Sequence, residues 1–279
     1  MSQLIIHFDD YGIQVGVPRH KPLFSYVWSR RFSENFFEKD IRTIFIDALQ
    51  KLPFSPKECL ILTPLYISSS QKRLILTALS FLGIRNAFFF PAPLASIACF
   101  SLPSLLIIHF SWSSITLIPF LYGHPDLLSE ITLPFGVSLF VEKAKSLAAS
   151  RNVVLSEQEV EKLLFNDTCW NPKFGALNVF ESIFDLNFEL SLTKSLMKLY
   201  SNISIDHKSL FGNVIVTGIG SKLCKGPKIL IENLSKLSRI ELNLIETDFD
   251  TTILPFHGAV IGIQKFNFIN INTMLNNEN

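Results

Sequence analysis

Glycine is scarce in this chain. It supplies 12 of 279 residues, where average usage would give roughly 20. Backbone that wraps a phosphate needs glycine wherever it approaches the anion closely, so the shortage weighs against a nucleotide-hydrolysing enzyme. Charge is scarce as well: Asp, Glu, Lys and Arg make up 18% of the residues, and the formal net charge is +1. That balance excludes a strongly basic nucleic-acid groove. Basic residues do gather at Arg30 and Arg31 and at Lys222, Lys225 and Lys228, and solvated helix and turn surface accounts for them.

Cysteine and histidine offer no metal spacing. Cys59, Cys99, Cys169 and Cys224 stand far apart without a C-x-x-C pair, and the six histidines form no H-x-x-x-H or H-E-x-x-H pattern. The residues predict no metal site, and the thiols read as buried groups of a reducing compartment. The first residues carry no basic start or long apolar core, which argues against a secretory signal. Gly218-Ile219-Gly220 is too short for a dinucleotide fingerprint, because Leu223 stands where the third glycine would fall.

Apolar side chains are plentiful. The hydrophobic fraction is 48% with 26 Phe, enough to offset chain entropy and exclude disorder. The length suits one large domain or two lobes. No Asp, Glu, Lys or Arg occurs from Asn86 to Pro125, but prolines 91, 93, 103 and 119 and the polar Ser111–Ser114 segment break that stretch. Its apolar pieces are strand-sized, so buried strands are predicted rather than a membrane span.

Periodicity maps an α/β chain. Strands are expected near Leu4–Ile6, Tyr11–Val17, Phe24–Trp28, Cys59–Thr63 and Phe88–Phe90, with Asp9 and Asp10 turning the first hairpin. Helices are expected from an N-cap at Ser33 to about Leu52, ended by Pro53, and from a cap at Ser70 through Leu74, Ala78 and Phe81 to Gly83. A short helix covers Leu94–Phe100. The grammar then restarts: a hairpin over Leu105–Phe110 and Ile115–Tyr122, a helix over Val137–Ala149, and a capping box at Ser156 and Glu159. After it come a helix over Leu192–Tyr200, a strand over Asn213–Gly218, a helix near Lys228–Leu237 and an alternating strand over Ile240, Leu242 and Leu244. Phe256–Phe266 closes the order, with Gly258, Ala259 and Gly262 suited to close backbone packing. The repetition predicts a duplicated two-lobe architecture. Buried His109 reads as a core histidine rather than a catalytic base.

The order of elements resembles the actin family. The resemblance rests on Cys59-Leu60-Ile61-Leu62-Thr63-Pro64-Leu65, Arg73, the Pro91–Ser96 stretch, Val153–Trp170, the run LTKSLMKLYSNISIDHKSLFGNVIVTG from Leu192 to Gly218, and Phe256–Gly262. It implies an actin-like, ribonuclease H-like fold: a first lobe over residues 1–103 completed by 256–279, and a second over 104–255. Departures from the family pattern are equally informative. The stretch matching the first phosphate loop, Phe8–Val15, keeps only Gly12 and has Val15 at the lysine position. The second phosphate loop becomes His109-Phe110-Ser111-Trp112-Ser113, lacking both acids and both glycines, and the water-positioning Gln falls at Ala92. The adenosine side keeps Gly218 but has Ile219 where a second glycine is expected. Phosphoryl transfer depends on positioning and charge neutralisation, so the resemblance implies a noncatalytic chain without cofactor or metal. Gly12 and Gly218 would be the remnants of its nucleotide cleft.

Little room remains for outer subdomains between Trp28 and Phe37 or between Trp170 and Leu192. This shortening is similar to the actin-related subunits at the pointed end of dynactin. They imply a filament cap whose partners are actin-like filament subunits and small pointed-end subunits, with dynein indirectly, in the cytoplasm and cytoskeleton. An actin-related subunit of a nuclear chromatin-remodelling complex, or an ATPase or sugar kinase of this fold, are the alternatives.

Overall fold

The computed structural model describes residues 3–18, 22–27, 38–50, 52, 55–165, 191–203, 212–225, 227–248 and 250–265. The expected cap at Ser33, Pro53 and the end of the third strand at Trp28 lie outside the described residues. The chain divides into two compact units, Met1–Ser101 with Ile253–Asn279, and Leu102–Thr252.

The first unit is built on a mixed sheet. Its strands are β1 (Gln3–Phe8), β2 (Gly12–Gly16), β3 (Phe24–Val27), β4 (Glu58–Thr63) and β5 (Asn86–Pro91), in the order β3-β2-β1-β4-β5. β1–β2 and β2–β3 are antiparallel, whereas β4 runs parallel to both β1 and β5. Helices α1 (Glu38–Gln50) and α2 (Ser69–Phe81) follow β3 and β4, and α3 (Ala92–Ala95) runs into a 3-10 turn at Ser96–Cys99. The strand period of two divides the side chains. Leu4, Ile6, Phe8, Ile61 and Phe89 join Ile41 and Phe45 of α1 and Ile75, Ala78 and Leu79 of α2 in one core. Ile5, Leu60 and Leu62 form another with Ala92, Ala95 and, from the last of the described helices, α8 (Leu254–Lys265), Phe256 and Ala259. The Phe88-Phe89-Phe90 run is therefore covered on both sides, Phe89 by the first core and Phe88 and Phe90 by the second. Gly258 allows the approach of α8, since a Cβ there would overlap the Ala95 carbonyl.

One expectation in this unit needs correction. The cap of α2 is Ser68 rather than Ser70: Ser68 Oγ accepts from Gln71 N at 3.2 Å, and Gln71 Oε1 accepts from Ser68 N at 3.0 Å. The reciprocal pair satisfies two backbone donors at once, which Ser70 with Arg73 three residues on could not do. Phe81, at the end of this helix, faces away from the core. It is 66% exposed, with the Arg42 guanidinium 4.0 Å above its ring. Gly83, at φ 81°, supplies the left-handed residue that ends α2.

The second unit repeats the sheet pattern. Its strands are β6 (Leu105–Phe110), β7 (Ile115–Leu121), β8 (His124–Pro125), β9 (Ile131–Leu133), β10 (Asn213–Thr217) and β11 (Asn243–Leu244), in the order β11-β10-β6-β7-β8, with β9 also on β7. A central strand has an antiparallel hairpin partner on one side and two parallel strands on the other, as in the first unit. The fold is thus mixed α/β with two mixed sheets. Helices α4 (Val137–Ala149), α5 (Glu157–Phe165), α6 (Leu192–Asn202) and α7 (Pro227–Ser238) accompany the sheet, and a 3-10 segment spans Ile219–Lys225. All six β6 residues are buried, in keeping with a central strand covered on both faces. The capping box before α5 forms as expected: Ser156 N donates to Glu159 Oε2 at 2.8 Å, and Glu159 N donates to Ser156 Oγ at 3.3 Å. The strand expected over Ile240–Leu244 shortens to Asn243–Leu244. Ser235 Oγ donates to Ile240 O at 2.7 Å and accepts from Leu242 N at 3.3 Å, so the end of α7 takes backbone groups that a ladder would have used.

Candidate functional site

The stretches resembling nucleotide loops fall at three bends. The first joins β1 to β2. Asp9 Oδ1 accepts from Tyr11 N and Gly12 N, each at 2.8 Å, and Asp9 N donates to Gly12 O at 3.1 Å. A short acidic side chain commonly closes such a turn on its own backbone. The result is a carboxylate seated on two adjacent amides, donors of the kind that anion-binding loops direct at a phosphate. His7 is buried beside it, with Nε2 3.9 Å from Asp9 Oδ2 and Nδ1 3.2 Å from Gln14 Oε1. Burial raises the Asp9 pKa above the usual carboxylate value, reinforced by Asp10, while His7 and the two amides pull against it.

The second bend joins β6 to β7 and closes on itself. Ser111 N donates to Ser114 O at 2.9 Å, Ser114 N to Ser111 Oγ at 3.1 Å, and Ser111 Oγ to Ser114 O at 3.0 Å. The start of α4 then docks on it: Val137 N donates to Ser111 O at 3.1 Å and Ser138 N to Trp112 O at 2.9 Å. Those amides would otherwise offer an anion site at a helix N-terminus. Gly136 makes the docking possible, since a Cβ there would collide with the Ser111 carbonyl and lie 2.7 Å from Ser114 N. Trp112 is 5% exposed, and Phe110 meets Phe140 of α4 with ring centroids 5.8 Å apart.

The third bend leaves β10. Gly218 has φ 91°, and a Cβ there would stand 2.6 Å from the Phe110 carbonyl and 3.2 Å from the His109 ring. Gly220 is pressed against the Phe110 ring. Ser221 Oγ donates to Gly218 O at 2.6 Å and lies 2.6 Å from Thr251 Oγ1, and Gly218 N donates to Thr251 O at 3.3 Å. Lys222 pairs with Asp250 at 3.1 Å. Burial acts to raise the Asp250 pKa, but the Thr252 hydroxyl and amide together with Lys222 outweigh it and hold the carboxyl below its ordinary value. Lys222 is thus a bridging cation rather than only solvated surface.

Gly12 belongs to the first unit and Gly218 to the second. Each has a local reason for being glycine or an amide donor: Gly12 serves the Asp9 turn, and Gly218 the close approach to β6. His109 is buried on β6 beneath Gly218, as expected of a core histidine. Cys59 is fully buried and Cys99 half-buried, and burial pushes both thiols up to about 12. Sequence reading missed three contributors. The Asp9 carboxylate as an amide ligand was detectable from the D-x-x-G spacing, and the closed serine turn from S-x-x-S. Gly136 gave no signal, because its need arises from the docking of α4. Among the described residues no His, Cys, Asp and Glu cluster is arranged to hold a metal ion, and no helix is long and apolar enough to cross a membrane.

No protein-family model matches the chain. Comparison with curated proteins likewise finds no match.

Proposed function

We propose that this chain is a noncatalytic actin-related subunit that caps the pointed end of the actin-like minifilament in dynactin, in support of dynein-driven transport. The reading of the fold as actin-like rests on the resemblance of the ordered sequence stretches, and the recurrence of one strand pattern in both sheets supports it. The observation that carries the noncatalytic part is the fate of the loop amides. Tyr11 N and Gly12 N are held by Asp9, and the first amides of α4 by the Ser111 and Trp112 carbonyls. A triphosphate would have to displace an internal carboxylate at the first bend, at the cost of two charge-assisted hydrogen bonds.

Two measurements test the reading. Thermal unfolding with and without Mg²⁺-ATP should give the same midpoint, because a ligand at 100 times its Kd would add about 2.7 kcal/mol of stability. Stabilisation together with ATP turnover would establish the enzyme alternative instead. Affinity purification followed by mass spectrometry should recover dynactin filament and pointed-end subunits. Recovery of chromatin-remodelling ATPases in their place overturns the assignment to dynactin.

A further inference from the structure

A groove of about 550 Å³ runs between α7 and the segment ending in β11, lined by Lys228, Ile231, Glu232 and Ser235 on the helix and by Leu242 and Leu244 opposite. Among the described residues β11 is the edge of its sheet. Asn243 N donates to Gly212 O at 2.7 Å and Ile245 N to Val214 O at 2.8 Å. Backbone groups alternate in direction along a strand, so the N–H and C=O of Leu244 point away from β10, toward the open side. Ser235 ties the end of α7 to Ile240 and Leu242, which holds the groove wall in place before any ligand arrives. An edge strand beside a helix, with Ile231, Leu242 and Leu244 between charged rims that include Glu246 on the strand side, is the arrangement that takes up an extended peptide by strand addition.

Charge narrows the occupant. Lys228, Glu232 and Lys236 are exposed and follow one another at four-residue intervals along α7. Among the described residues none of the three forms an ion pair. Four helical residues advance about 6 Å, close to the roughly 6.6 Å between alternate residues of a strand. A strand lying on β11 therefore brings every second side chain opposite one of these charges.

We propose that this groove binds an extended segment of a partner protein that adds to the edge of β11 and presents acidic, basic and acidic side chains at alternate positions toward α7. The complement of a Lys-Glu-Lys row is symmetric, so the pattern is the same for either strand direction. The long side chains lay their methylenes over Ile231, Leu242 and Leu244 while their charged ends reach the rim.

The test uses the full chain and a fluorescent peptide, acetyl-Thr-Glu-Val-Lys-Val-Glu-Thr-amide, read by anisotropy. Saturable binding is expected. The charge-inverted peptide Thr-Lys-Val-Glu-Val-Lys-Thr should bind about tenfold more weakly, and a peptide N-methylated at both its central residue and the one before it should lose binding, because one of two adjacent amides faces β11 in either strand direction. The variant Lys228→Glu/Lys236→Glu alters only exposed positions, so it should fold and should lose the preference for the matched peptide. No saturation up to about 1 mM, equal binding of the matched and inverted peptides, or binding unaffected by N-methylation each overturns the proposal.

Discussion

A carboxylate that accepts two amide hydrogen bonds and still holds its proton more tightly than usual is governed by its surroundings more than by its bonds. Asp9 is such a group. Its pKa is raised in the folded chain, so the native state binds the proton more readily than the unfolded one. Its contribution to stability therefore falls as pH rises from the ordinary value of 3.8 through the folded value. Asp9→Asn keeps an oxygen acceptor for Tyr11 and Gly12 and removes the buried charge. Thermal midpoints measured across pH should show the variant gaining on the parent chain from about pH 4 toward neutrality. Asp250 has the opposite sign. Its lowered pKa adds stability above 3.8 that disappears as pH falls through the folded value. Cys59 and Cys99, with thiols pushed up to about 12, should resist alkylation at neutral pH until the chain unfolds, which mass labelling under denaturant checks.

At the scale of elements, α2 and the β10 bend give the sharpest tests. Ser68→Ala should cost about 1 kcal/mol in chemical denaturation and Ser70→Ala within about 0.5 kcal/mol of nothing, because only Ser68 caps the helix. Gly218→Ala combines a left-handed φ with a Cβ against the Phe110 carbonyl, and should cost on the order of 2–4 kcal/mol. Sequence made the regular elements legible where local signals and burial agree. The bounds of α4 match the expected Val137–Ala149, and Ser156 and Glu159 cap α5 as their spacing implied. It failed where two local signals compete for the same backbone groups. Ser68 and Ser70 are both competent caps locally, and Gln71 is what selects between them. Ile240 and Leu242 alternate like a strand, but Ser235 takes their backbone groups. At the candidate site, Gly12 and Gly218 could be found as glycines. The D-x-x-G spacing could also have tied Gly12 to the Asp9 carboxylate, whereas the neighbouring strand that Gly218 serves depended on geometry.

For the whole molecule, the covalent order of the two units matters. The second unit is continuous over Leu102–Thr252, with its own sheet and buried strands, whereas the first is completed by Ile253–Asn279. A fragment of residues 102–252 should therefore unfold cooperatively on its own, as circular dichroism against denaturant would show. A fragment of residues 1–101 should not, because Phe256 and Ala259 close the sheet face formed by Ile5, Leu60 and Leu62. Burying side chains of this size is worth about 1.5–3 kcal/mol each, a large part of a small unit's margin.

That arrangement also sets a timetable during translation. At about 5–20 residues per second, the ribosome needs on the order of ten to thirty seconds to pass from the end of the first segment to the helix that seals it. Throughout that interval the face bearing Ile5, Leu60 and Leu62 is covered only by Ala92 and Ala95 and lacks Phe256 and Ala259. The nascent chain thus has a defined window in which a chaperone must shield one particular sheet face, and it closes when Phe256 emerges from the exit tunnel.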